Sequence, residues 1–371
     1  MSSKIARAIT EEHPTTLLLG VYGPHNKIAA QEYYFDEFLS LVETLGTPYE
    51  QTLFLKVRAT DNNMFFTKGK LEEIQRFCDE HEIEQIICSE ILSPLQERNL
   101  REAFNCEIMD RTHLILNIFK NSAHTAEGKI QVEMAEIEFL KTRTIGKGKE
   151  LSQQAGMIGV KGPGETLQEQ LKRVFADKLR QAKKRLDTLQ KSREVQRKQR
   201  LNNKIPLICI IGYTNAGKSS LLNRIAKGDV LAENKLFATL DTTTRELFID
   251  GHKKGLISDT VGFISQLPHN LIEAFKSTLD ELKYAALLIQ VVDISNPAWE
   301  SQIEVVQDTL NELEVNKPMV YVFNKVDKLS QEARDVLPME IAPYTPHVII
   351  HTQSKEGIEQ LVNFLKTYPL K

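Results

Sequence analysis

Short apolar runs alternate with amphipathic stretches through residues 1–128. TTLLLGVY (15–22), QTLFLKV (51–57) and QIICS (85–89) read as strands, and between and after them a pattern over 29–45, KLEEIQRFCDEH (70–81) and PLQERNLREAF (94–104) read as helices. This rhythm predicts a small α/β domain with a mainly parallel sheet.

Residues 129–204 change character. Ile130, Met134, Ile137 and Leu140 recur at three- and four-residue spacing, as do Leu167, Leu171, Phe175, Leu179, Ala182, Leu186 and Leu189. Each set forms one narrow stripe, so the segment reads as two long helices paired as a hairpin. Thr166 and Glu169 fit a capping box at the start of the second helix, just after Pro163-Gly164. The Gly- and Lys-rich loop 146–164 between the helices is long for a hairpin connection, which points to a function of its own. From 205 to 371 the alternation of apolar strands and helices resumes, giving a third domain.

The composition of the 371 residues, 41% hydrophobic and 26% charged, is that of an ordinary globular chain. No stretch approaches the ~18 uncharged apolar residues of a membrane span. The N-terminus MSSKIARAITEEHP lacks the apolar core of a secretion signal, so a cytoplasmic location and no membrane partner are expected. Cys78, Cys88, Cys106 and Cys209 never form a C-x2-C pair and read as reduced, core-filling thiols rather than a zinc site or disulfide framework. His13, His25, His81, His113 and His124 are scattered and read as ordinary surface or core residues.

Net charge changes the picture once it is divided. The overall −3 argues weakly against a nucleic-acid partner, yet residues 129–204 hold 19 Lys/Arg and 9 Asp/Glu, a local +10 that leaves −13 for the rest. The second long helix carries Lys172, Arg173, Lys178, Arg180, Lys183, Lys184, Arg185, Lys191, Arg193, Arg197, Lys198 and Arg200. A solvated helix face is one reading. The shortage of acidic residues favours the other, contact with RNA or another polyanion.

Candidate chemistry lies in the third domain. PLICIIG runs into Gly212-Tyr213-Thr214-Asn215-Ala216-Gly217-Lys218-Ser219-Ser220 and then a helix, the strand–loop–helix order of a phosphate-binding loop. Backbone amides cradle phosphates there, Lys218 reaches the β- and γ-phosphates, and the Ser219 hydroxyl binds Mg²⁺. Asp259-Thr260-Val261-Gly262 ends a strand, where the carboxylate holds Mg²⁺ through water and the glycine amide senses the γ-phosphate. Asn324-Lys325-Val326-Asp327 follows another strand, and Asp327 can accept two N–H bonds from guanine, which adenine does not offer. Three motifs in this order point to GTP. Phe237-Ala238-Thr239-Leu240-Asp241 and the residues after it occupy the place of a switch loop, where Thr239, Thr242, Thr243 and Thr244 each offer a hydroxyl to the metal and spacing does not choose among them.

The motifs LSPLQERNL, DRTHLIL, EGKIQVEMAEIEFL, GVKGPGET, GYTNAGKSSL, LFATLDTTTR, DTVGFISQLPH, LIEAFKSTLDEL and FNKVDKL together resemble the HflX family of ribosome-associated GTPases over nearly the whole chain. The resemblance implies an N-terminal α/β domain, a helical hairpin reaching toward the large ribosomal subunit and a Ras-like GTPase domain. It implies binding of GTP and GDP, engagement of large-subunit rRNA in the GTP state, and splitting of stalled or stress-arrested ribosomes by a monomer. The alternative is an rRNA-binding assembly factor without splitting activity. By position, Thr239 joins Ser219 on Mg²⁺, and Thr352-Gln353-Ser354 replaces a final base-contacting loop that is usually a Ser-Ala pair.

Phe263 stands where Ras-like enzymes carry the water-positioning glutamine, so slow hydrolysis stimulated by the ribosome is expected, with no certain catalytic side chain. Asn215 resembles the asparagine of K⁺-stimulated GTPases and equally suits a plain turn residue. The hairpin-tip text SQQAGMIGVK departs from the family's Gly- and Arg-containing text, and residue 242 is Thr where proline is common. The chain stops soon after GIEQLVNFLKTY, which leaves no room for the extra C-terminal domain of some members. Lys161, Lys172, Arg173, Arg180, Lys183, Lys184 and Arg185 are the rRNA-contact candidates.

Overall fold

A computed structural model describes residues 13–145 except 25 and 27–30, 167–226 except 204, then 236–237, and 243–370 except 269–270, 272–274 and 276–278. The hairpin loop 146–164, Lys161, the Thr166 cap and Ala238, Thr239, Leu240 and Asp241 lie outside the described residues. Compactness divides the chain into two units, Met1–Asn26 with Tyr34–Leu114, and Lys27–Tyr33 with Ile115–Lys371.

The first unit is built on a four-stranded parallel sheet ordered β2-β1-β3-β4. In chain order it comprises β1 (Thr16–Tyr22), α1 (Gln31–Leu45), β2 (Gln51–Lys56), α2 (Lys68–Glu80), β3 (Gln85–Cys88), α3 (Pro94–Phe104) and β4 (Glu107–Met109). The unbroken apolar run of β1 suits its central place, where both faces are covered. Ser93 and Gln96 form a capping box ahead of Pro94, and Asn105 ends α3 in a left-handed conformation. β4 is a strand the pattern did not predict; at three residues it is too short to show an alternation.

The chain then enters α4 (Arg111–Ser122), α5 (Ala126–Ile145) and α6 (Leu167–Asn202). The predicted hairpin is present: Ile130 and Met134 of α5 pack on Ala182 and Leu186 of α6, flanked by Leu179 and Leu189. Leu140 departs from the predicted stripe and is exposed. It lines a groove between the helices with Ile137, Phe175 and Lys184. At 36 residues, α6 is about 50 Å long at 1.5 Å per residue.

The remainder is a six-stranded sheet ordered β10-β9-β8-β5-β7-β6, parallel except for the β6/β7 hairpin. Its elements are β5 (Leu207–Gly212), α7 (Lys218–Ile225), β6 (Thr243–Ile249), β7 (His252–Asp259), β8 (Leu287–Asp293), α8 (Trp299–Glu312), β9 (Met319–Asn324), α9 (Gln331–Glu340), β10 (His347–Ile349) and α10 (Glu359–Thr367). Asp250 and Gly251, both at positive φ, make the two-residue turn that joins β6 to β7. β5 sends Ile208 and Ile210 into one apolar core and Leu207, Cys209 and Ile211 into another. This two-sided burial of a central strand brings the Gly212 end to the carboxyl edge of the sheet, where α/β sheets bind ligands. All four cysteines are free and buried, and the described residues hold no group of three or more His/Cys/Asp/Glu placed to bind a metal ion. No helix among them is long and apolar enough to cross a membrane.

Candidate nucleotide site

β5 ends at Gly212 and α7 begins at Lys218, so Tyr213-Thr214-Asn215-Ala216-Gly217 form the intervening turn, with Ser219 and Ser220 in the first turn of the helix. Asn215 and Gly217 adopt left-handed backbone at φ 60° and 98°. A Cβ on Gly217 would stand 2.3 Å from Asn324 Nδ2, so only glycine lets the loop close on β9. There Asn324 Nδ2 donates to the Ala216 carbonyl at 2.9 Å. The turn and the amino end of α7 form an anion-binding concavity.

Lys218 Nζ donates to the Tyr213 carbonyl at 2.7 Å, which closes the loop on itself. Burial pushes this ammonium down to about 8, opposed by the nearby Asp259 carboxylate. The Thr214 hydroxyl and the Asn324 Oδ1 are buried without a protein partner among the described residues. A cationic amine in a left-handed glycine turn, with unmet polar atoms beside it, fits a bound phosphate chain.

β7 delivers the second motif. The buried Asp259 carboxylate accepts the Ser219 hydroxyl at 2.7 Å and the Thr260 amide at 2.9 Å. Two hard oxygen donors so close together fit Mg²⁺ better than a soft metal. Thr260 Oγ1 donates to the Ile210 carbonyl at 2.8 Å, and Val261 is buried, so the motif is fastened to β5. Gly262 comes so near the loop that a Cβ there would lie 2.9 Å from both Lys218 Nζ and Thr214 Cγ2.

Phe263 then doubles back. Its amide donates to the Gly212 carbonyl at 3.1 Å, and its carbonyl accepts the Thr214 amide at 2.8 Å. Its ring packs into the core with Cys209, Ile211, Leu279 and Leu282. The side chain at the glutamine position is therefore structural and cannot orient water. The Tyr213 hydroxyl accepts the Ser265 amide at 2.7 Å and clasps this segment to the phosphate loop. Thr243 and Thr244 are committed to the β6/β7 pairing, opposite Asp259 and Ser258, with Thr244 Oγ1 donating to Ser258 Oγ at 3.1 Å.

The third motif sits at the end of β9. Lys325, left-handed at φ 65°, sends Nζ to the Asn215 carbonyl at 2.8 Å and to Asp293 Oδ2 at 2.7 Å. Val326 and Asp327 form a short 3-10 turn, with Asp327 exposed. Arg224 of α7 donates to the Thr352 and Gln353 carbonyls at 2.9 and 2.6 Å, and Ser354 Oγ accepts the Gly357 amide at 3.2 Å. Asp293, Arg224 and the Tyr213 hydroxyl are contributions the sequence reading missed. A strand-end carboxylate in VVDIS was the visible sign of Asp293; Arg224 and the Tyr213 hydroxyl meet backbone atoms of distant segments and leave no motif.

Arg185 pairs across the helices with Glu133 at 2.5 Å, and Arg180 with Asp177 of its own helix at 2.6 Å. Lys172, Arg173, Arg180, Lys183, Lys184 and Arg185 are all exposed on α6.

A mostly parallel sheet bearing a phosphate loop, a strand-end aspartate bonded to the loop's serine and an exposed carboxylate after a further strand defines a P-loop GTPase, a class that uses Mg²⁺ with its nucleotide. The chain is 44% identical over 333 residues to a GTPase HflX of Lacrimispora saccharolytica, an alignment that covers 90% of this chain and 78% of the relative. It belongs to the HflX family of GTPases. GTPase HflX of Escherichia coli K12 is 39% identical, with 89% of this chain and 77% of the relative covered. Three family models match in succession: GTP-binding GTPase N-terminal over 32–120, GTP-binding GTPase Middle Region over 122–200, and 50S ribosome-binding GTPase over 207–325. The crystal structure of SsGBP with GDP shares the fold, with a TM-score of 0.50 at 24% identity, covering 95% of this chain and 97% of the other. The protein is thus a GTP-hydrolysing member of a ribosome-binding GTPase family.

Proposed function

We propose that the protein, charged with GTP, binds the large ribosomal subunit through the hairpin and splits stalled or stress-arrested ribosomes. The observation that carries this reading is the long exposed basic helix α6 on the same unit as the nucleotide site. In this reading the chain acts as three parts, 1–128, 129–204 and 205–371, in a cytoplasmic monomer. Lys172, Arg173, Arg180, Lys183, Lys184 and Arg185 meet rRNA phosphates, with Lys161 of the connecting loop beside them, and Arg185 also bridges the two helices through Glu133.

At the nucleotide, Lys218 neutralises the β- and γ-phosphates, Ser219 and Thr239 hold Mg²⁺, and Asp259 steadies it through Ser219 and water. The Gly262 amide reads the γ-phosphate. Asn324 and Asp327 read guanine, with Thr352-Gln353-Ser354 closing over the base. Mg²⁺ supplies charge neutralisation across the phosphates when bound. Phe263 offers no group to water, so alignment of the attacking water falls to backbone groups and to the ribosome, and hydrolysis without the ribosome is slow. In this reading Asn215 offers its side-chain amide oxygen to K⁺, since its backbone carbonyl accepts Lys325 Nζ; equal GTPase rates in K⁺ and Na⁺ would leave it the plain turn residue it equally suits.

Cosedimentation with intact ribosomes and separated subunits in GTP, GDP and nucleotide-free states tests the reading. Retention on the large subunit with GTP, and conversion of intact ribosomes to subunits, are expected. Binding to rRNA-containing particles while intact ribosomes persist would favour the assembly-factor alternative.

A further inference from the structure

Three phenylalanines from separate parts of the second unit meet at one point. The Phe119 ring of α4 faces Phe237 edge-on, with centroids 4.7 Å apart at 89°, and Phe275 with centroids 5.1 Å apart at 81°. All three are nearly sealed from solvent, at 1%, 2% and 3% exposure. No motif of the nucleotide site includes Phe119 or Phe275.

Their positions matter more than the packing itself. Phe237 stands two residues before Thr239, at the entry to the switch loop. It holds a left-handed φ of 55°, a conformation a bulky residue keeps only when its surroundings impose it. Phe275 belongs with Leu271 and Leu279, also buried, to the stretch that follows the DTVG motif. Leu279 shares a core with Phe263, whose backbone is zipped to the phosphate loop. Leu279 lies four residues after Phe275 in the sequence, so Phe275 belongs to the same stretch as a residue packed on Phe263. On the other side, Lys120, next to Phe119, pairs with Glu136 of α5 at 2.9 Å, and α5 packs along α6.

We propose that Phe119 is a positioning residue that ties the entry of the switch loop, at Phe237, and the stretch that follows the DTVG motif, at Phe275, to α4, and through α4 to the hairpin. Close-packed aromatic contacts do not deform continuously, so when Phe237 or Phe275 shifts with the nucleotide, Phe119 follows or leaves a void. Exchange of GDP for GTP is thereby transmitted to α5 and α6 through one buried ring. The proposal rests on the reading of 237–241 and 259–262 as switches, and it does not require that the hairpin act on ribosomes.

The test uses the full chain without ribosomes. Amide hydrogen exchange of α5 and α6 is compared in GDP and in a non-hydrolysable GTP analogue, for the wild type, Phe119→Ala and Phe119→Leu. The wild type should show a nucleotide-dependent difference in both helices; Phe119→Ala should lose most of it, and Phe119→Leu should retain part. GDP affinity should stay within about twofold, while the ratio of analogue to GDP affinity shifts about fivefold, the order of one edge-to-face contact. A merely structural residue would lower both affinities together and leave the ratio unchanged. A wild-type-sized exchange difference in Phe119→Ala, or none in the wild type, overturns the proposal. If Phe119→Ala does not fold, Phe119→Leu carries the same comparison, and an unaltered difference and ratio there overturn it. Loss of ribosome splitting with this coupling intact would count against the proposed function alone.

Discussion

Lys218 sets the charge balance of the phosphate loop. Its ammonium is lowered to about 8 by burial, with the Tyr213 carbonyl as its partner. Phosphate binding needs the protonated form, so GTP affinity should hold up to about pH 8 and then fall, approaching tenfold per pH unit. Titration calorimetry between pH 7 and 9.5 checks this; affinity flat through pH 9.5 would contradict it. The linked effect on the nucleotide-free protein has the opposite sense. Its folded lysine gives up the proton before the unfolded one does, so this group's contribution to stability rises from about pH 8 toward the ordinary lysine value. The Asp327 backbone carbonyl accepts Arg334 at 3.0 Å, while the residue is exposed, and in the proposed function its carboxylate reads the base. Asp327→Asn should weaken GTP and GDP by about 10²-fold or more, the loss of charge-assisted bonds worth ~1.5–3 kcal/mol each. Xanthine nucleotides, with a carbonyl where guanine has its amino group, should regain affinity. Unchanged guanine selectivity in competition binding would remove Asp327 from its role.

Much of this site was legible in the sequence because backbone geometry restricts residue type. Gly217 has to be glycine against Asn324, and the buried Asp259 has to meet Ser219. Arg224 and the Tyr213 hydroxyl serve the same site through carbonyl and amide groups that any residue supplies, so spacing could not reveal them. Phe263 was legible only as a missing glutamine. That its ring turns into the core follows from the neighbours β5 and Leu279 provide, which no local pattern encodes.

At the scale of elements, the hairpin keeps its candidate cations at the surface, and Arg185 also bridges its two helices. The stripe that predicted it survives in Ile130, Met134, Ala182 and Leu186, while Leu140 faces a groove rather than a seam. Periodicity showed which residues share a face but not how far the partner helix covers that face. The ion pair of Arg185 was likewise invisible, because Glu133 lies on the other helix, whereas Asp177 and Arg180 stand at the i,i+3 spacing of a helical pair. Lys183→Glu with Lys184→Glu should therefore weaken ribosome binding while leaving melting behaviour intact, and should reduce the salt dependence of binding by about one unit of slope per lysine. Arg185→Glu should instead lower the melting temperature, since it sets two acids against each other at the helix interface. Equal ribosome affinity and salt slope for the double lysine variant and the wild type would exclude α6 as the contact.

Across the whole molecule, one chain joins a guanine-nucleotide site to a strongly basic arm, and its modest −3 charge averages a +10 segment with a −13 remainder. The mainly parallel sheets of both units were legible from apolar runs and intervening helices, since central strands such as β1, β5 and β8 are buried on two faces and read as continuous, whereas the edge strands β2 and β6 alternate. The division after Leu114 was not, because α4 continues unbroken through it and no glycine or proline marks the place. The −13 remainder suits the proposed function, in which rRNA is met at the basic helix and repelled elsewhere. The most direct measurement of the central claim is sucrose-gradient sedimentation of intact ribosomes incubated with the protein and a non-hydrolysable GTP analogue, beside a GDP control. The expected result is loss of the intact-ribosome peak with the analogue and gain of separated subunits, the protein travelling with the large one. An unchanged intact-ribosome peak at saturating protein, with the analogue bound, would contradict the claim.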